Sequence, residues 1–364
     1  NGLMAKMKQW EDIKDDFNAG SLILGNGASM AVSDKFGYAS LFDEATKLGH
    51  LTRPVQKVFE SFDVEDFELV LRRLWQAKLV NEALDIEVDV VDQSYQQVRD
   101  ALIATVRDVH VSYQEAEEHL EHIYQFMKPF KKVASLNYDL IVYWAAMFGN
   151  RVLGSWFKDC FTPHHFASDW KCYKEPHRAK GATLFFYPHG NLVLHHHEFS
   201  SVNKITVGTD EDLLESILDK WVNENLAPAF VCEGTQESKE QSISSCDYLE
   251  KVFYEVLPSL EENIVIYGWA MAEQDEHLLE QIGKSQPEKV AVSVYNNNKV
   301  FIGQVEKQLK DIGVKKVIFF DSQSAGAWNQ PSSEYIKAKE DEAIAATVAL
   351  RKARRKLRAN NKEV

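Results

Sequence analysis

Cysteine is scarce and scattered in this chain: Cys160, Cys172, Cys232 and Cys246 are the only four among 364 residues, and no two form a CxxC pair. That excludes a zinc ribbon and a disulfide framework and fits a reducing compartment, so a cytoplasmic protein is expected. Long apolar runs are absent as well. No stretch approaches the ~20 residues that cross a bilayer, and no charged-then-apolar leader opens the chain, so no membrane contact is expected. Positive charge is the third shortage: 41 Lys and Arg face 55 Asp and Glu, a net −14. A surface of that sign does not coat nucleic acid, and any such contact is expected to be indirect. The shortage is uneven, because "LRKARRKLRANNKEV" (350–364) is strongly basic and leaves the body more acidic than the total.

What is present is an ordinary globular composition, 45% hydrophobic and 26% charged, with length enough to bury a sizeable core. Five short apolar runs lack alternation and end in small or polar residues, as strands buried on both faces do. They are "SLILG" (21–25), "KVASLN" (132–137), "NIVIYGW" (263–269), "KVAVSVYN" (289–296) and "KKVIFFD" (315–321). Helical patterns, "DEHLLEQIGKS" and "VEKQLKDIG", precede the last two. This alternation implies an α/β fold with a Rossmann-like, doubly wound parallel sheet. Residues from about 41 to 130 carry apolar positions at helical spacing and imply a helical insertion after the first strand. Residues 154–207 are rich in aromatics and histidine, with a β-hairpin expected around "TLFFYPHGNLVLHH" (183–196). The polar "TQESKEQSISS" (235–245) reads as a loop or helix start, and 340–357 as an amphipathic helix whose end turns basic. One domain is expected over 4–330, followed by a C-terminal helix and basic tail over 331–364.

Ligands of open α/β sheets sit beyond the carboxyl ends of the strands, so the residues there matter most. The first run leads into Gly25-Asn26-Gly27-Ala28-Ser29. Glycines there either make a tight strand-to-helix turn or let the backbone approach a phosphate. The second run leads into Asn137-Tyr138-Asp139, the third ends in Gly268-Trp269, the fourth reaches Asn296, and Asp321 closes the fifth. All five ends carry small or hydrogen-bonding residues, which favours a nucleotide. His189, in "FFYPHGNL", precedes a glycine whose turn could expose the imidazole, although a structural histidine is the plainer reading. His195-His196-His197 lacks a third ligand at metal spacing and reads as a polar strand end.

The ordered set of these motifs resembles the sirtuin (silent information regulator) superfamily. "GNGAS" (25–29) resembles its GAGIS phosphate loop, and "SLNYDL" (135–140) its TQNxDxL, matching at Asn137, Asp139 and Leu140. "PHG" (188–190) resembles the HG of the catalytic histidine, and "PAFVCEG" (228–234) falls where the family has its PxVVxFGE strand and turn. "YGWAM" (267–271) resembles GTSL, and "VYNNN" (294–298) the strand whose Asn meets the adenosine ribose. Departures are equally specific. The two CxxC pairs of the deacylating sirtuins are missing, Leu136 replaces the Gln before the family's Asn, and "MAVSDKFGYASLF" (30–42) does not reproduce the acidic-Phe-Arg segment of the nicotinamide pocket. No role is therefore carried to Asp34 or Phe36. Losing the parts that hold a peptide while keeping those that hold NAD is similar to the bacterial sirtuin-like NAD hydrolases of antiphage defence, which work beside a HerA-type ATPase or an Argonaute, or carry a sensing domain.

That resemblance implies NAD as substrate, no zinc, a homo-oligomer, and a HerA-type ATPase partner. Residues 4–330 would then form the NAD-binding catalytic domain. Nicotinamide leaves ribose C1′ through an oxocarbenium-like transition state. The implied catalytic residues are Asn137, whose amide both donates and accepts, His189 as base, and Asp139, which orients the loop or caps the next helix. The implied cofactor-binding residues are Gly25, Asn26, Gly27, Ala28, Ser29, Glu233, Gly234, Gly268, Trp269, Asn296 and Asp321. Ser29 has a second reading as a helix cap, and Glu233-Gly234 as an ordinary turn. A nucleotide-binding assembly module without turnover is the competing function. Protein deacylation is disfavoured by the missing zinc cysteines.

Overall fold

A computed structural model describes residues 6–197, 201–205, 209–230 and 235–360. In chain order its strands are β1 (Ser21–Leu24), β2 (Lys132–Ser135), β3 (Phe157–Lys158), β4 (Phe161–Thr162), β5 (His165–Phe166), β6 (Thr183–Phe186), β7 (Gly190–His197), β8 (Val202–Lys204), β9 (Leu226–Phe230), β10 (Asn263–Tyr267), β11 (Lys289–Val294) and β12 (Lys316–Asp321). Runs such as Leu22-Ile23-Leu24 and Ile264-Val265-Ile266 offer no polar face, so they can lie only between two covering layers. They do: these six residues are all 1% exposed or less. The resulting seven-stranded sheet has the order β12-β11-β10-β1-β2-β6-β3, and every neighbouring pair is parallel. The fold is α/β and Rossmann-like. The five apolar runs all become strands of this sheet, and β6 and β3 extend it.

β1 lies at the centre, with the chain winding away through β2 on one side and returning through β10 on the other. Strand order reverses there, which opens a crevice beyond the carboxyl ends of β1, β2 and β10. Between β1 and β2 the chain forms the helices Leu41–Lys47, Arg53–Phe62, Phe67–Ala83, Asp89–Val109 and Tyr113–Met127. Ser112 and Glu115 close a capping box at the start of the last of these.

The expected hairpin over 183–196 does not form. β6 joins the parallel sheet beside β2, whereas β7 joins a second, antiparallel sheet of order β4-β5-β8-β7-β9. The alternation of "NLVLHH" was legible, but pairing is decided by which neighbours bury each face. Tyr187-Pro188-His189 bridges the two sheets, and Gly190 makes the turn at φ +76°, where a Cβ would strike the Ala229 carbonyl. The segment read as loop or helix start is the helix Gln236–Ser244, and the C-terminal helix runs over Ser333–Asn360. No helix among the described residues is long and apolar enough to cross a membrane.

Candidate functional site

A cavity of about 810 Å³ occupies the crevice at the strand-order reversal. That size suits a cofactor-sized ligand. Of the residues singled out in the sequence, Gly25, Asn26, Gly27, Asn137, Asp139, His189, Gly268 and Trp269 all line it. They come from the ends of β1, β2, β6 and β10, so the sheet brings together positions far apart in sequence, from Gly25 to Trp269.

The crowding around the glycines fits the tight strand-to-helix turn, one of their two readings. A Cβ on Gly25 would meet the Gly268 carbonyl at 2.6 Å, and one on Gly27 would meet Gly268 Cα at 2.7 Å. Gly268, at φ +69°, is equally crowded by the Ala28 nitrogen. Gly25 and Gly27 are therefore glycine because two backbone turns interlock. The donors follow the same logic. Gly25 N–H is given to Tyr267 O at 3.0 Å, Gly27 N–H to Gly268 O at 2.7 Å, and Ala28 N–H to Gly25 O at 3.0 Å. Three of the loop's backbone donors are thus already bonded inside the protein.

Asn137 sits where its chemistry can be used. Its Nδ2 donates to Gly25 O at 2.8 Å, which orients the amide and leaves Oδ1 as the acceptor. Asp139 is a support: Oδ1 accepts from Ile141 N–H at 3.0 Å at the start of the helix Ile141–Leu153, and Oδ2 accepts from the Ser29 hydroxyl. Burial pushes the Asp139 pKa up, against the pull of His110, Ser29 and the Ile141 N–H. Ser29 is consequently a buried tether, and neither it nor Ala28 lines the cavity. Asn191 locks the same corner by donating to Asp139 O at 2.6 Å.

Two further expectations shift along the chain. Asn296 stands exposed in the turn after β11, and Asn298 lines the cavity instead, while its side chain caps the helix Lys299–Asp311 through Phe301 N–H at 3.1 Å. Asp321 ends β12 outside the cavity and accepts from Gln323 N–H at 2.9 Å; its successors Ser322 and Gln323 line the wall. Asn298, Ser322 and Gln323 lie in the turns beyond their strands, where the path of the turn decides which side chain reaches the cavity, so a motif match one or two positions off selects the wrong one. Glu233 and Gly234 lie outside the described residues. Asp34 and Phe36, given no role from the sequence, both line the cavity.

The largest addition is a buried polar cluster around His189. His189 is 4% exposed and stacks on His277, ring centroids 5.7 Å apart, and His277 stacks in turn on Phe253. Asp275 accepts from Lys239 Nζ at 2.7 Å and from Trp269 Nε1 at 3.2 Å. His189 Nε2 and both ring nitrogens of His277 have no hydrogen-bond partner among the described residues. Burial, reinforced by the Lys239 and His277 charges and opposed by Asp275, holds the His189 pKa down at about 3. Burial also lowers His277. For Asp275, burial is outweighed by His189, Lys239 and its two hydrogen bonds, and its pKa falls. Ligand atoms of His189, Asp275 and His277 all lie within 4.8 Å, a spacing one metal ion could bridge. The buried Lys239 ammonium already neutralises the carboxylate, however, and would repel a dication strongly in so dry a place. Nothing in the sequence marked Lys239, Asp275 or His277, because each stands in an ordinary polar helical pattern.

Lys239 also connects the cavity to the insertion. On the helix that carries it, Ser242 donates to Glu68 Oε2 at 3.3 Å and accepts from Arg72 Nη2 at 3.4 Å, both residues on the insertion helix Phe67–Ala83. Residues 22–328 match the family described as a domain of unknown function (DUF4917), and no curated protein matches the chain. With a match that opens in β1 and ends beyond β12, the chain belongs to the DUF4917 family.

Proposed function

We propose that the chain is an NAD hydrolase that cleaves NAD to nicotinamide and ADP-ribose, and that it acts as an antiphage defence effector depleting cellular NAD in complex with a HerA-type ATPase. The observation that carries this reading is the convergence of Asn137 and His189 on one cavity at the strand-order reversal, with the Asn137 amide oriented by Gly25. In the proposed reaction the bond between ribose C1′ and the nicotinamide nitrogen breaks, its electron pair leaving with nicotinamide. Water adds to C1′ and gives up one proton, so the products are nicotinamide, ADP-ribose and a proton. Asn137 Oδ1 accepts from the ribose hydroxyl or the water and fixes its position. His189, neutral at pH 7, takes the proton through a ring nitrogen. Tyr38 and Tyr138, paired through their hydroxyls, wall the cavity and limit water around C1′.

The low proton affinity of His189 favours a second reading, an NAD- or ADP-ribose-binding assembly module without turnover. One experiment separates them. The pure protein, alone and with a candidate ATPase, is incubated with NAD while nicotinamide release and NAD binding are followed. Turnover that falls at least ~100-fold in Asn137→Ala and in His189→Ala, with thermal stability little changed, supports the hydrolase. NAD binding without nicotinamide release supports the module, and substantial turnover in both variants sinks the mechanism.

A further inference from the structure

The helix Ser333–Asn360 is 28 residues long, roughly 42 Å at 1.5 Å per residue, and it leaves the body almost at once. Its base is fixed: the Ser333 N–H and hydroxyl both bond the Glu11 carboxylate at 2.8 and 2.6 Å, and Tyr335 packs edge-on against His122. From Lys337 to Ala359 every residue is exposed. Ile336, Leu350 and Leu357 are 45–63% exposed and share one side of the helix with Ala343, Ala346 and Ala353, so an apolar stripe faces water along most of the length. Helices gain most of their stability by packing such a stripe against something.

Two features of the helix identify what covers it. The first is spacing. Ile336, Ala343, Leu350 and Leu357 recur every seven residues, the repeat by which two helices keep one seam in contact. The second is charge. Glu340, Asp341 and Glu342 are grouped in the first half, and Arg351, Lys352, Arg354, Arg355, Lys356 and Arg358 crowd the second. A parallel pair would set like charges side by side, whereas an antiparallel pair reverses the arrangement.

We propose that Ser333–Asn360 pairs antiparallel with the same helix of a second copy of this chain. Setting Ala346 level with Leu350 of the other copy brings Ala343 level with Ala353, on the side of the helix that carries Ile336 and Leu357. Leu350 then meets an alanine rather than another large side chain, as close helix packing requires. The same register brings Glu340 close to Arg354 and Glu342 close to Lys356, pairs that flank the stripe. It is isologous, so every contact occurs twice. The six basic residues of the second half exceed what a helix C-terminus needs to offset its macrodipole, and this pairing employs them. The pairing is independent of any chemistry in the cavity.

Light scattering and sedimentation of the full chain, across about 1–50 μM at low and moderate salt, test it. The expected mass is twice that of one chain, with weaker association as salt rises. Leu350→Glu combined with Leu357→Glu should make it monomeric, with the helical circular dichroism of the body retained. Reversing the acidic pair (E340K, E342K) or the basic pair (R354E, K356E) should each weaken association at least tenfold, and the four changes together should restore it. A parallel pair would be unmoved by either reversal alone. A monomeric full chain, a dimer indifferent to the leucine changes, or a combined variant that stays monomeric would each overturn the proposal.

Discussion

Gly27 shows how a residue can be conspicuous for one reason and needed for another. Its missing Cβ makes room for Gly268 Cα at 2.7 Å, a contact between the first and third of the five apolar runs. Gly27→Val should therefore destabilise the protein by about 1–3 kcal/mol, as overpacking does, and any loss of NAD affinity should accompany that loss. Denaturant midpoints beside NAD titrations decide it: an unchanged midpoint with lost affinity would return the glycine to the phosphate. Lys239 is the opposite case, inconspicuous in sequence and central in space. Its ammonium, pairing with Asp275, is one of the causes that hold His189 low. His189 works as a base only when neutral, so the acid limb of an NAD-cleavage profile follows its pKa. Lys239→Met removes the repulsion and frees Asp275, and the acid limb should move upward by about one pH unit or more. A limb that stays in place, or moves down, would detach Lys239 from His189.

At the scale of elements, the joint between the insertion and the helix Gln236–Ser244 carries an unusual charge arrangement. Asp66 and Glu68 are buried beside Arg72, and burial pushes their pKa values up to about 6 and about 8. The folded state thus holds protons that the unfolded chain has released. For Glu68, this contribution is full below its ordinary 4.5 and is lost as pH rises through about 8. Thermal midpoints should fall over that window, and Glu68→Gln should flatten the fall and raise the midpoint above pH 8 by at least about 3 °C. An unaltered pH dependence in that variant would show that the joint titrates elsewhere. The helices of the insertion were visible as periodicity. Their partner surface was not, since Ser242 and Ser245 are marked only by polarity, and polarity in a sequence usually means solvent.

At the scale of the molecule, short junctions join the two sheets. Tyr187-Pro188-His189 ends β6 of the parallel sheet and starts β7 of the antiparallel one, and that junction sets His189 facing the ends of β1 and β2. The net charge is divided just as sharply. The basic group 351–358 contributes +6 to a total of −14, so the remaining residues sum to −20. In the proposed antiparallel pair, a helix that carries this basic group away from the body would meet its own acidic first half in a second copy, and an acidic molecule would associate with itself without apposing its bodies.

The sequence by itself determined the parallel sheet, the helical insertion, the strand ends that line the cavity, and the place of Asn137 and His189. Each rests on local information: runs buried on both faces admit no other strand environment, helical periodicity repeats within a few turns, and a strand's end is where its run stops. Only the tertiary structure decided that "TLFF" and "GNLVLHHH" pair in different sheets, that Gly25 and Gly27 answer to Gly268, that Ser29 tethers Asp139, and that Lys239, Asp275 and His277 surround His189. Those facts depend on which distant residue fills the neighbouring space. A glycine, a serine or a lysine looks the same in a sequence whatever stands opposite it.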